Sequence, residues 1–485
     1  MAAFNRPAGT LEAATALSPY NGPWNPRLAA HLLRRAGFGG TPDEISRLAQ
    51  MRAADAVESL IHFPSTASWP QPDNVFDPYS GFLPVAQGRG GMMDQTARQA
   101  LFAELRKRSR DSIISLQQWW LQRMLTTPAP LQEKMTFFFH GHFTSAAIAK
   151  GIWPSLVYQQ NELFRNNALG NLRELTRNVS KDPAMLLYLD NATSVKAHPN
   201  ENYARELMEL FTLGHGNYTE QDIRESARAF TGWTIDRRSG AFFDNLRIHD
   251  DGSKHFLGQT GNFTGDDIVN TIFGQPASAR FFASKLLEFF VYNDPEPQLV
   301  GAVASLLRRN DFNLAPVVSK IFRSNVFFSD RAYRALVKSP VEFVVGSYKV
   351  FGLGQLDPTA QRALAQMGQV LFYPPNVAGW PGGSSWLTTQ MMIARENFST
   401  GLMNSQMMGS SGWLTNLPMS ATQATRELIR TILQNDASAS AVSKVQNYLN
   451  GVNTSALGML SAENYQERVR GAAYLTMAMP AYQLN

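Results

Sequence analysis

Apolar residues recur every three or four positions through most of the chain, the period of a helix with one face turned to a core. From Pro26, the residues Leu28, His31, Leu32 and Arg35 follow at that spacing, Asn25 offers an N-cap, and Gly37-Phe38-Gly39-Gly40 ends the run. Thr41-Pro42-Asp43-Glu44 opens the next helix with a cap, a proline at the first position and acids in the first turn. Ile113, Leu116, Trp120 and Met124 predict a long helix over 94–125, broken by Thr127-Pro128-Ala129-Pro130, and 131–139 resumes as helix or a tight apolar run. Helical patterning predicts further elements at 153–178, 183–190, 200–213, 219–231, 265–273, 278–292, 296–308, 314–323, 329–335 and 340–351, with two closing helices near 422–434 and 463–479. Alternation of period two is nearly absent, and the best strand candidate is a short hairpin at 240–248. The fold class expected is mainly α, a multi-helix globular array with at most a minor β-hairpin.

Punctuation by proline, glycine and small polar residues divides the chain. Residues 1–25 read as an irregular N-terminal arm, and 26–398 as a helical core domain with a Pro/Gly-rich excursion at 63–94. Residues 399–421, rich in Met, Ser, Gly and Asn, read as a flexible loop or linker, and 422–485 as C-terminal helices packing on the core. The 485 residues are 44% hydrophobic and 11% aromatic, which excludes global disorder. Only 17% are charged, so much of the surface is uncharged polar. The net charge of +5 is mild and no Lys/Arg block is present, which argues against nucleic acid as a partner. With no cysteine, disulfides, thiolate nucleophiles, iron–sulfur clusters and Cys zinc sites are excluded. No stretch approaches 18 apolar residues, so no membrane span is expected. The N-terminus shows no charged segment followed by an apolar one; the default location is cytoplasmic, with an extracytoplasmic one left open.

Three polar segments hold the candidate chemistry. His140-Gly141-His142 ends an apolar run, and Gly141 lets the backbone turn so that both imidazoles could converge on one point, a metal-ligand spacing. The competing reading is two hydrogen-bonded structural histidines. In the segment from Asn200 to Gly214, Glu201, Asn202, Arg205, Glu206 and Glu209 fall within roughly 140° of a helical wheel. That stripe is either a site or a solvated face laced by i,i+4 pairs. His249-Asp250-Asp251-Gly252 is turn chemistry that either delivers His249 and Asp250 to a site, with Lys254 as an anion contact, or forms a polar loop. The stiff loop around Gly379-Trp380-Pro381-Gly382-Gly383 could wall a pocket or pack on its own Trp, and Arg395 could be a buried structural arginine. No serine-hydrolase elbow, phosphate loop, dinucleotide fingerprint or His-Glu-x-x-His motif occurs, so no nucleotide cofactor is expected.

Taken together, these segments resemble the bacterial domain-of-unknown-function 1800 family. The resemblance rests on His31-Leu32-Leu33-Arg34-Arg35-Ala36-Gly37-Phe38-Gly39, Phe139-His140-Gly141-His142-Phe143, and the stretches 182–190 and 200–210. It continues through 218–233, His249-Asp250 with Lys254 and Leu257-Gly258, Pro374-Pro375 with Gly379-Trp380, and the closing Pro480-Ala481-Tyr482-Gln483. It implies a largely helical fold. Many members look exported and encoded beside sulfatase-like proteins, which implies envelope or extracellular carbohydrate or ester chemistry and a sulfatase-like partner. The family's recurring polar positions match at His140, His142, Asn200, Glu201, Arg205, Glu206, Glu209, His249 and Asp250. The chain departs in showing no export signal and in carrying Gly141 where Asn is usual.

Three functional readings follow. In the first, His140, His142, Glu206, Glu209, His249 and Asp250 supply ligands to a divalent Zn, Mn or Fe ion for hydrolytic or oxidative chemistry. Glu201 would then act as general base, Arg205 would orient carboxylates or grip an anionic group, and Lys254 would contact an anion, with a small molecule or glycan as substrate. The second is a metal-free acid/base hydrolase using His140 or His142 with Glu201 or Glu209. The third is a non-enzymatic helical binding or assembly module whose polar cluster is a structural network.

Overall fold

A computed structural model describes residues 13–64, 69–80, 95–236, 238–451, 461 and 463–485. Proline opens helix after helix: Pro26, Pro42, Pro130, Pro154, Pro183, Pro276, Pro297 and Pro340 each stand in the first turn. Its fixed φ suits that position and its missing N–H is lost where no intrahelical partner exists. Thr41, Thr219 and Ser339 complete reciprocal caps with Glu44, Asp222 and Glu342. The fold is mainly α, and the named strands of the described residues form two small antiparallel pairs. β1 (Trp233–Ile235) pairs with β2 (Phe242–Asp244), and β3 (Lys254–Phe256) with β4 (Gln259–Gly261). Among the described residues no helix is long and apolar enough to cross a membrane.

The helices that frame the site are α1 (Pro26–Ala36), α2 (Gln95–Thr126), α3 (Pro130–His142), α4 (Glu201–Glu206), α5 (Glu220–Ala229), α6 (Pro276–Phe290) and α7 (Pro340–Val350). They are followed by α8 (Thr389–Asn404), α9 (Ala421–Leu433), α10 (Ala439–Leu449) and α11 (Tyr465–Met477). Two apolar cores result. One gathers α1, α6 and the helices between 164 and 333; the other gathers α2, α7 and the C-terminal helices. Helix α3 serves both, sending Met135, Phe138 and Phe139 into the first and Phe137 into the second. It is therefore buried on every side, and its polar residues need internal partners.

Some elements differ from the sequence expectation. The helix expected over 153–178 is two, Pro154–Asn166 and Leu172–Ser180, because Asn171 caps a second start. Residues 329–335 form turns rather than a helix. The segment 399–421 is not a flexible linker. It completes α8 and adds short helices Gln406–Ser410 and Gly412–Thr415, with Met403, Met408 and Leu414 buried in the second core. Helices Thr359–Gln366 and α10 were not foreseen. Of the arm expected at 1–25, residues 1–12 lie outside the described residues, as do 65–68 and 81–94 of the excursion at 63–94.

The last residues are clasped from within. Arg334 Nη1 donates to the Ala481 carbonyl, Arg395 Nη1 to Gln483 Oε1 at 3.0 Å, and the Asn485 N–H to the Leu336 carbonyl at 2.8 Å. Arg395 is fully buried and structural.

Candidate functional cleft

Helix α3 continues through both histidines, so Gly141 does not turn the chain. Residues two apart on a helix point about 200° apart, and the rings diverge instead of converging. His140 faces Trp120, Phe372 and Trp380, at centroid distances of 5.1, 5.3 and 5.5 Å. Its Nε2 accepts the Phe372 N–H at 3.1 Å, which places its proton on Nδ1. His142 stacks on Phe138, and its Nε2 donates to the Phe211 carbonyl at 2.9 Å. Burial drives both imidazoles down to about 3; for His142 the Phe211 bond opposes this and Lys285 adds to it. Both rings are neutral near pH 7.

The Glu-rich stripe is split by a change of helical pitch. After α4 the chain runs as a π-helical turn, Leu207–Thr212, in which the Leu213 N–H reaches the Met208 carbonyl five residues back at 2.8 Å. The wider turn breaks the regular 3.6-residue spacing at Glu209, which keeps a separate set of partners. Arg205 makes a two-pronged pair with Glu220 on the surface, at 2.8 and 2.9 Å, and Glu201 lies 3.9 Å from the same guanidinium. Glu206 is half-buried, and its carboxyl is held above the usual range by burial and then by the charge of Glu209, with Arg205 opposing. Glu209 instead accepts the Tyr218 hydroxyl at 2.6 Å and lies 3.2 Å from His215 Nε2.

The third segment fastens its own loop to α5. His249 Nδ1 donates to the Thr231 carbonyl at 2.7 Å. Asp250 accepts Arg228 Nε at 2.7 Å and the Gly252 N–H at 2.9 Å, and the Arg228 bond holds its carboxyl down at about 2 despite burial. Lys254 Nζ is buried against the carbonyls of Asp250 and Gly252. Asp250→Ala should therefore cost about 2 kcal/mol of stability, the scale of a charge-assisted hydrogen bond, without affecting ligand binding elsewhere. Urea midpoints measured beside a binding assay test this.

The nine candidate residues thus fall in separate places. His142 and Glu209 line one cleft, while Glu201, Arg205, Glu206, His249, Asp250 and Lys254 do not line it. His140 lies behind it, its ring tilted 49° to that of Trp380. Among the described residues no three His, Asp or Glu side chains come together as a metal set, so the six expected ligands do not fit a single ion.

The cleft has a volume of about 510 Å³, room for a small organic molecule. Phe137, Phe138, Phe281, Phe289, Trp380 and Trp386 make aromatic walls; Glu209, His215, Lys285, Glu288 and Glu342 add polar groups. Glu342 is already engaged by Lys134 and by the Ser339 N–H, and Glu288 by Ser284 Oγ at 2.9 Å. The loop carrying Trp380 lies on the end of α3: a Cβ at Gly379, where φ is +79°, would stand 2.4 Å from the Gly141 carbonyl oxygen. That loop therefore walls a pocket, one of its two expected roles. A Cβ at Gly141 would meet nothing within 4 Å, so a side chain there has free space at the cleft. His215, Lys285, Glu288 and Trp386 escaped the sequence reading. The one local signal was Gly214-His215-Gly216, where both glycines take positive φ and hold the imidazole out at the rim.

A family model described as a protein of unknown function (DUF1800) matches residues 31–484. No curated protein and no solved structure matches the chain.

Proposed function

Since the chain belongs to this family, whose description assigns no activity, we propose from the geometry that the aromatic cleft binds a small glycan or ester and that Glu209 and His215 perform metal-independent acid/base hydrolysis there. The observation that carries this reading is the Tyr218–Glu209–His215 chain on the wall of the cleft. A carboxylate bonded to one imidazole nitrogen fixes the tautomer, so that His215 Nε2 carries the proton and Nδ1 is left as a base. The Tyr218 hydroxyl holds the other oxygen of Glu209, so the carboxylate cannot swing away. Aromatic faces suit the C–H face of a sugar ring or an ester's acyl group, and few polar groups remain uncommitted to compete for it. The Asn usual in the family at position 141 would project into the same space that Gly141 leaves open.

Chromogenic nitrophenyl glycosides and nitrophenyl acetate are suitable probes. His215→Ala should lower kcat about 10²-fold or more, the usual contribution of one positioned acid/base. Gly141→Trp should project into the cleft and abolish probe binding; its Cβ meets no neighbour, and a melting temperature measured beside the assay checks that the fold is kept. Turnover that survives both substitutions sinks the proposal, as does the absence of any probe binding or turnover.

A further inference from the structure

Behind the cleft, and sharing Glu342 and Asn485 with its lining, lies a chamber of about 30 Å³. One water needs roughly 10–15 Å³, so it has room for a small ion. Arg34, Lys338, Gln434 and Tyr482 line it as well. The surroundings are rich in buried cations. Arg34, Arg35, Lys134, Arg334, Lys338 and Arg395 are all more than nine-tenths buried. The carboxylates within reach are spoken for: Glu342 pairs with Lys134, and Asp436 with Arg334 Nε at 2.7 Å. Among the described residues, Arg34, Arg35, Lys338 and Arg395 form no ion pair. Arg34 spends Nη1 on Gln434 Oε1 at 2.8 Å, while its Nε and Nη2 are buried with only the Tyr333 hydroxyl beside them and no carboxylate. Arg35 Nε and Nη1 and Arg395 Nε are buried with no hydrogen-bond partner. Lys338 sits over the Tyr482 ring at 4.0 Å.

An unpaired buried guanidinium is costly, and native proteins pair such charges or neutralise them. Arginine cannot readily lose its proton, so the remedy must be an anion. We propose that this chamber is a binding site for one small monovalent anion of the halide class, seated between the N–H groups of Arg34 and the ammonium of Lys338. The anion would join α1 to the segment after Arg334 and to the clasped residues near Tyr482, locking one core to the other. Burial, then Arg334, Arg34 and Arg395, press Lys338 well below the ordinary lysine range against the pull of Glu342; a halide would oppose that pressure.

The test compares melting temperatures in sodium chloride, bromide and gluconate at equal ionic strength. Saturating halide should raise the midpoint by roughly 2–5 °C over gluconate. Crystals soaked in bromide should show an anomalous peak in contact with Arg34 and Lys338. Lys338→Met, which keeps the apolar stem, should remove the halide-dependent rise. If that variant fails to fold, the bromide peak in the unaltered protein decides. Equal midpoints in all three salts, water in place of bromide, or a halide effect that persists in Lys338→Met would each overturn the proposal.

Discussion

Between pH 6.5 and 4.5 the protein should lose about 2.7 kcal/mol of stability per pH unit, or about 5 kcal/mol over the window. His140 and His142 are held down at about 3 by burial. His31 is pushed well below its ordinary value by burial, then by Arg35 and Arg34, while its Nε2 donates to the Phe327 carbonyl at 3.0 Å. In the unfolded chain each would titrate near 6.5. Below that pH the unfolded state takes up protons that the folded state refuses, so stability is complete above 6.5 and falls toward 3. Asp182 works the other way. Burial raises its carboxyl to about 7, although it accepts the Met185 N–H at 2.9 Å and Gln160 Nε2 at 2.7 Å. It binds a proton in the folded state first and cancels one of the three histidines over this window. Urea unfolding at pH 7.5, 6.5, 5.5 and 4.5 reads the slope. A flat profile would mean that the imidazoles are not held neutral.

Glu133→Ala should cost about 3–5 kcal/mol, the penalty for breaking a buried ion network by removing one partner. Glu133 is fully buried and receives Arg123 Nε, Arg165 Nε and Nη2, and the Trp120 indole at 2.5, 2.7, 3.0 and 2.9 Å. Its loss strands the Arg123 guanidinium and leaves Arg165 with Glu162 as its remaining carboxylate, where α2, α3 and helix Pro154–Asn166 meet. Replacing the trio together, Arg123→Met with Glu133→Leu and Arg165→Met, should recover most of that loss, since the one charge then left without its partner, Glu162, is partly exposed to solvent. Denaturant midpoints for the single and triple variants measure the coupling; a mild single variant would refute the network's role.

What could be read from the sequence depended on how local the signal was. Starts such as Asn25-Pro26 and Thr41-Pro42 are written within a few residues, and those helices lie where the caps place them. Helices α8 and α10 went unseen because polar, Met and small residues hide a face that only tertiary contact reveals. The candidate site was legible in part for the same reason. Glu209 and His142 line the cleft, but the wheel that grouped Glu209 with Glu201 and Arg205 assumed 3.6 residues per turn. The π turn at Leu207–Thr212 breaks that assumption, and nothing in the composition announces it. His140 and His142 look like a pair in sequence, yet a straight helix separates them as surely as distance would. His215 and Lys285 reach the cleft from elements far apart in the chain, where no spacing rule applies.

The internal clasp on Ala481, Gln483 and Asn485 has a consequence for biosynthesis. Arg34 finds Gln434 across 400 positions, Arg334 reaches Ala481 across 147, and Arg395 reaches Gln483 across 88. A chain emerging from the ribosome carries these guanidinium groups long before their acceptors exist. The second core gains these contacts only once residues 481–485 have been made. Quality control by a cell's proteases would therefore see a ragged product from any message cut short before residue 481.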